Sequence, residues 1–174
     1  AAELRSSALN NRAVSLLDLG RKKEAFATLD EALKLDAHHA ESVYNKALLE
    51  WRDEIITDDE VVRRLKEAKQ VSRRAGLYLG FIHIERAAAD EAEEELVEAL
   101  QDYELTKDIS AWRALGDALM AQEKYSAADE AYQKALELKR IDDTGYFDDA
   151  LKKVLSLASL PDANVIAYTY YPSR

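Results

Sequence analysis

Apolar and small residues recur along this chain at helical spacing, in one short segment after another. In residues 6–19, Leu9, Ala13, Leu16 and Leu17 fall on one face at 3.6 residues per turn, and Gly20 ends the run. The segment KKEAFATLDEALKL follows with Ala25, Leu29, Ala32, Leu33 and Leu35 at the same spacing. Two amphipathic segments joined by a short turn predict a helical hairpin. Hairpin two begins near Ala40 with ESVYNKALLEWR, and its second helix opens at a Thr57-x-x-Glu60 capping box before Val61, Val62 and Leu65. GLYLGFIHIERAAADEAEEELVEAL supplies hairpin three, with Gly76 and Gly80 permitting close helix approach, and ISAWRALGDALMAQEKYSAADEAYQKALELK supplies hairpin four. A last helix is expected from about Tyr146 to Ser159 as a cap, its polar face carrying Asp148, Asp149, Lys152 and Lys153.

The hairpins repeat one another. Small residues stand at Ala13, Ala47, Gly80, Gly116 and Ala150, with steps of 34, 33, 36 and 34. A second ladder runs through Ala25, Leu29 and Ala32; Val61, Leu65 and Ala68; Ala92, Leu96 and Ala99; and Ala128, Tyr132 and Ala135. A larger side chain at these positions would force crossing helices apart, at roughly 1–3 kcal/mol each. Helical pairs at a period near 34 residues predict an all-α solenoid, each hairpin burying the apolar face of the next.

Composition narrows the chemistry. The 174 residues suit one domain, read as a solenoid over 1–160 and an extended tail over 161–174, where ANVIAYTYY alternates β-branched and aromatic residues. Cysteine is absent, so no disulfide framework or thiolate ligand is available, and a reducing, cytoplasmic setting is expected. No apolar run reaches the roughly 18 residues needed to span a bilayer, and the N-terminal segment has no signal-peptide core. The net charge of −10, densest at DEAEEEL, argues against nucleic acid, whose backbone needs clustered Lys and Arg. That acidic run reads as a solvated outer face or as a patch steering a basic partner. His38 and His39 are adjacent and His83 is remote, so no zinc pair at i, i+4 spacing exists, nor does a glycine-rich phosphate loop. Neither a metal, a cofactor nor an enzymatic activity is expected.

Hairpin four resembles the tetratricopeptide repeat family through Trp112-x2-Leu115-Gly116, Tyr125, Ala128-x3-Tyr132 and Ala135. Hairpin one is similar through Ala13, Leu16, Gly20, Ala25, Leu29 and Ala32, and hairpin three through Leu79, Gly80, Ala92, Leu96 and Ala99. The resemblance implies a right-handed superhelix of about four hairpins plus a C-terminal capping helix. The chain departs from the family in several places. Leu9, Val43 and Gly76 stand where Trp112 does, and Ala37 and Arg140 replace the closing proline. Hairpin two carries about two extra residues before Thr57 and puts Glu50 at an expected apolar position.

The resemblance also implies a function: protein–protein interaction, with the first helix of each hairpin lining a concave groove that receives a peptide or helix of a partner. The corresponding positions include Asn11, Tyr44, Asn45, Leu48, Trp51, Arg74, Tyr78, Phe81 and Arg113. Asn side chains would bond the backbone of an extended ligand, Tyr44, Tyr78 and Phe81 would pocket its side chains, and Arg74 or Arg113 would pair a carboxylate. For Trp51, Phe81 and Ile84 a place in the inter-hairpin core is the competing reading. A chaperone-type carboxylate clamp is matched only at Asn45 and Arg74. Two alternatives stand beside this reading: a regulatory module of a larger enzyme or β-propeller protein, and self-assembly in which the groove is filled by the tail of the same or a neighbouring copy, giving a homo-oligomer.

Overall fold

Every predicted hairpin forms, and each turns on one residue in the left-handed region. The structure, a computed structural model, describes residues 1–147; Ala150, the expected capping helix and the tail lie outside the described residues. Hairpin one pairs α1 (Ala2–Asp18) with α2 (Lys22–Leu35), and hairpin two pairs α3 (Ala40–Arg52) with α4 (Asp58–Lys69). Hairpin three pairs α5 (Arg74–Glu85) with α6 (Ala89–Ala99). A 3₁₀ turn (Leu105–Lys107) then leads into hairpin four, α7 (Ile109–Ala121) with α8 (Tyr125–Phe147). Among the described residues there is no strand.

The turn residues are Gly20, Glu54, Ala87 and Glu123, with φ of 73°, 59°, 59° and 61°. Each stands seven positions after the small residue of its first helix, so the turns repeat the steps of 34, 33 and 36. The following N–H donates five residues back in every case: Arg21 to Leu16 at 2.8 Å, Ile55 to Glu50 at 2.8 Å, Ala88 to His83 at 2.9 Å and Lys124 to Leu119 at 3.0 Å. This is the Schellman closure, which satisfies carbonyls left over at a helix end. The two extra residues of hairpin two appear here, because α4 begins four residues after Glu54 whereas α2, α6 and α8 begin two after their turns.

Each helix packs against its sequence neighbours, and each inner helix also meets the next one: α1 with α3, α3 with α5, α5 with α7. That is solenoid stacking. Among the described residues both ladders are buried, from Ala13, Ala25 and Ala32 to Ala128 and Ala135, except for half-buried Tyr132. A Cβ on Gly80 would meet Leu96 Cγ at 2.7 Å, whereas one on Gly76 would meet only Lys69 Cε at 3.5 Å. The expected close approach is therefore confined to Gly80, since Gly76 sits in ordinary contact distance of a flexible side chain.

Thr57 caps α4, its hydroxyl accepting from the Glu60 N–H at 3.2 Å. The Glu60 carboxylate turns forward to Arg63 and Arg64, which hold its pKa down to about 2. Glu50, set in an apolar register, accepts from Arg64 Nη1 at 2.6 Å and lies 3.6 Å from Lys46 Nζ. One boundary differs from the expectation. α8 runs unbroken through Arg140 to Phe147 instead of ending near Lys139, because Ile141 to Thr144 offer no proline to stop it.

Candidate interaction groove

The sequence-predicted residues lie on the inner helices α1, α3, α5 and α7, and three of them, Tyr44, Tyr78 and Phe81, meet as an aromatic cluster. Tyr44 of α3 stacks on Tyr78 of α5, with ring centroids 5.0 Å apart and planes inclined by 25°. Phe81 meets both rings edge-on, at 6.0 Å from Tyr44 and 5.9 Å from Tyr78. These geometries suit aromatic quadrupoles and add to the area buried. Tyr44, Asn45, Leu48, Tyr78 and Phe81 are all buried, while Asn11 and Arg113, toward the two ends of the wall, are exposed.

Polar groups on the wall bond to one another from hairpin to hairpin. Asn45 Nδ2 donates to Asn10 Oδ1 at 2.9 Å, and the Ser42 hydroxyl donates to the same oxygen at 3.3 Å. His39, buried at the start of α3, caps that helix, its Nδ1 accepting from the Ser42 N–H at 3.4 Å, and its Nε2 lies 3.0 Å from the Ser7 hydroxyl. The sequence marks Asn45 but not its contact with Asn10, and it gives His39 no role beyond excluding a zinc pair. No local motif marks either, because the partners are 35 and 32 residues away.

Arg74 stands between two carboxylates, with Nε 3.5 Å from Glu41 and Nη1 3.6 Å from Asp108. Burial opposes its charge, but the neighbouring Tyr78, Glu41 and Asp108 outweigh that and raise its pKa. The Tyr78 hydroxyl donates to Glu41 at 3.2 Å, and burial, followed by the Glu41 charge, pushes its pKa well up. Here the wall already carries two acidic groups around one guanidinium, so a ligand carboxylate would have to displace them to reach Arg74. Trp51 sits at the turn edge of hairpin two, half-buried, donating to Asp58 at the start of α4 at 2.8 Å.

Among the described residues, no cluster of three metal-ligating side chains occurs, and no helix is long and apolar enough to cross a membrane. His83 instead faces Arg86 Nη1 at 2.9 Å and Glu91 at 3.6 Å.

Comparison with known proteins bears on the fold first. A crystal structure of MamA superposes with a TM-score of 0.56 at 20% identity, covering 80% of this chain and 81% of that chain. MamA 41-end from Desulfovibrio magneticus RS-1 gives 0.56 at 20% identity, over 79% and 77% of the two chains. At this identity the likeness is one of fold. No curated protein matches the sequence. Tetratricopeptide repeats match residues 6–39 and 109–140, the first and fourth hairpins of a stack whose turns keep one register throughout. The chain carries tetratricopeptide repeats in these two hairpins.

Proposed function

We propose that this protein is an interaction scaffold whose inner wall receives an extended peptide or a helix of a partner protein, with no catalytic step. Repeats of this family support a protein-interaction scaffold. The aromatic trio carries the reading further: Tyr44, Tyr78 and Phe81 come from two successive inner helices and meet at the centre of the wall. Those rings are buried, so a ligand reaches them only by opening the wall, while Asn11 on α1 offers an exposed amide for its backbone. The pairing of Arg74 with Glu41 and Asp108 favours a ligand anchored by apolar or aromatic side chains over one anchored by a terminal carboxylate. A peptide footprint of this kind falls below about 1,200 Å², the range of reversible contacts.

The test uses a displayed random-peptide library panned on the full chain, with the enriched peptide titrated against the parent and against Tyr44→Ala/Tyr78→Ala. Loss of affinity by roughly tenfold or more is expected when two central contacts are truncated. Equal affinity for parent and double variant, with both folded, would place binding elsewhere.

A further inference from the structure

Each later hairpin is clasped to the one before it by the residue that precedes its turn. Asp53 pairs at 2.5 Å with Lys22, the first residue of α2, and Arg86 Nε lies 3.7 Å from Asp58, the first residue of α4. Gln122 Nε2 donates at 3.1 Å to the carbonyl of Ala89, the first residue of α6. A whole helix face lies behind each clasp. On α3, Ser42 donates to Asn10, Lys46 pairs with Asp30, and Leu49 packs with Ala13, Ala25 and Leu29 of hairpin one. The turn register carries this face onto α1 as Ala8, Arg12, Ser15 and Leu19, and Leu4 and Arg5 extend the same stripe within about 100° of the helix. All six are exposed, Leu4 at 77% and Leu19 at 70%. The counterparts of Ala8 and Ser15 on α5 and α7 are buried: Ala75 and Ala111 for the first, Ile82 and Ala118 for the second. α1 thus presents, uncovered among the described residues, the face by which a later hairpin seats on its predecessor.

We propose that this stripe docks an acidic amphipathic helix of a partner protein, laid antiparallel to α1 as α2 lies along α3. The order of contacts sets the partner's pattern. Lys22 meets Asp53, and Asp30 of the same helix meets Lys46. On α1 the partner would therefore place an apolar residue at Leu19, an acid about eight positions later at Arg12, and a second acid about seven further on at Arg5. Ala8 and Ser15, between the charges, let the helix come close. Charge decides the occupant. Neither Arg5 nor Arg12 forms an ion pair among the described residues; Arg12 pulls on Glu24, but Arg21 holds that carboxylate through both oxygens, at 2.7 and 2.5 Å. The acids of α1 itself, Glu3 and Asp18, lie about 180° and 120° round the helix from Arg12. A second copy of this chain fits poorly: α8, in the register of α2, would bring Gln133 to Arg12 and Arg140 to Arg5, a cation against a cation. The stripe is distinct from the aromatic cluster of α3 and α5 and stands without the groove reading.

Fluorescence anisotropy of a labelled synthetic peptide tests this on the full chain. The probe copies α2 over residues 21–37 with Lys22→Leu and Ala37→Glu, which sets a leucine, Asp30 and a glutamate against Leu19, Arg12 and Arg5. Saturable binding to the parent is expected, weakened roughly tenfold or more in Arg5→Glu/Arg12→Glu, where like charges face each other. A peptide with lysine in place of both acids should restore binding to that variant. Circular dichroism checks its helicity, and should the double reversal lose helicity, Arg12→Gln is read in the same way. Absence of saturable binding to the parent would overturn the proposal. So would equal affinity for parent and folded variant, which would mark exchange of the peptide with α2 itself. A concentration-dependent dimer of the parent in sedimentation, abolished by Arg5→Glu/Arg12→Glu, would assign the stripe to a second copy and overturn it as well. None of these outcomes bears on Tyr44→Ala/Tyr78→Ala, which reads the groove.

Discussion

The Tyr132 ring of α8 occupies the space that a Cβ on Gly116 of α7 would need, with Cδ1 at 2.6 Å and Cζ at 2.8 Å from that position. The Tyr132 hydroxyl donates to Asp117 at 2.6 Å, so the ring is held at its far end and cannot swing aside cheaply. In hairpins one and two the equivalent positions hold Ala13 with Leu29 and Ala47 with Leu65, all buried, a methyl on one helix and a slimmer side chain on the other. Gly116→Ala is expected to destabilise the chain by about 1–3 kcal/mol in urea unfolding, the cost of overpacking. Adding Tyr132→Leu should recover most of that loss. A full-cost double variant would show that the ring is not the obstacle.

Three of the four hairpin turns place an ordinary residue at positive φ, and Ala87 has no polar side chain to compensate with a local bond. A Cβ in the left-handed region costs roughly 1–2 kcal/mol, partly offset by glycine's greater freedom when unfolded. Ala87→Gly should therefore stabilise by about 0.5–1 kcal/mol, and Gly20→Ala should destabilise by about 1 kcal/mol. Thermal unfolding of the two variants checks both signs at once.

The α4 start depends on one hydroxyl. Glu60 is committed to Arg63 and Arg64, and Thr57 accepts the Glu60 N–H at 3.2 Å. Thr57→Ala should cost about 1 kcal/mol and Thr57→Ser much less, as expected of an N-cap. Equal losses in the two variants would point to the Thr57 methyl instead of its oxygen.

His83 gives the stability a pH dependence near neutrality. Burial first, and the Arg86 cation second, hold its pKa below the ordinary value of 6.5; Lys66 acts the same way, against Glu91 and Glu95. The folded pKa is thus depressed, and the neutral imidazole belongs to the folded state. As pH falls through about 6.5 the unfolded chain takes up the proton first, so stability declines from there down to the folded pKa and is flat above. Urea midpoints measured from about pH 8 to pH 5.5 should fall in the parent. They should fall less steeply in His83→Gln, which removes this group and leaves the carboxylates, such as Glu60, that titrate lower. Parallel profiles would assign the slope to other groups.

The hairpins, the extra length before Thr57 and the Thr57 cap were legible because each is a local statement: helical spacing, a two-residue insertion, a Thr at a helix start. Of the expected capping box only the Thr57 half is seen, because the Glu60 carboxylate goes forward to Arg63 and Arg64. The inner wall was legible as positions and much less so as surroundings. Arg74 reads from sequence as a cation awaiting a carboxylate, yet stacking sets Glu41 and Asp108 beside it, 33 and 34 residues away. Trp51, which the sequence left between groove and core, packs half-buried against the core and also donates to Asp58 at the start of α4.

The amino-acid sequence alone determined that the chain is a stack of helical pairs, because a period near 34 residues in small and apolar side chains admits few other ways to bury both faces. The tertiary structure decided which residues meet across hairpins, that Asn45 bonds Asn10 and Tyr44 stacks on Tyr78, and that α5 is buried all round. Those outcomes depend on the register in which one rigid hairpin settles on the next, and a register is a property of two surfaces in contact, which no single segment carries.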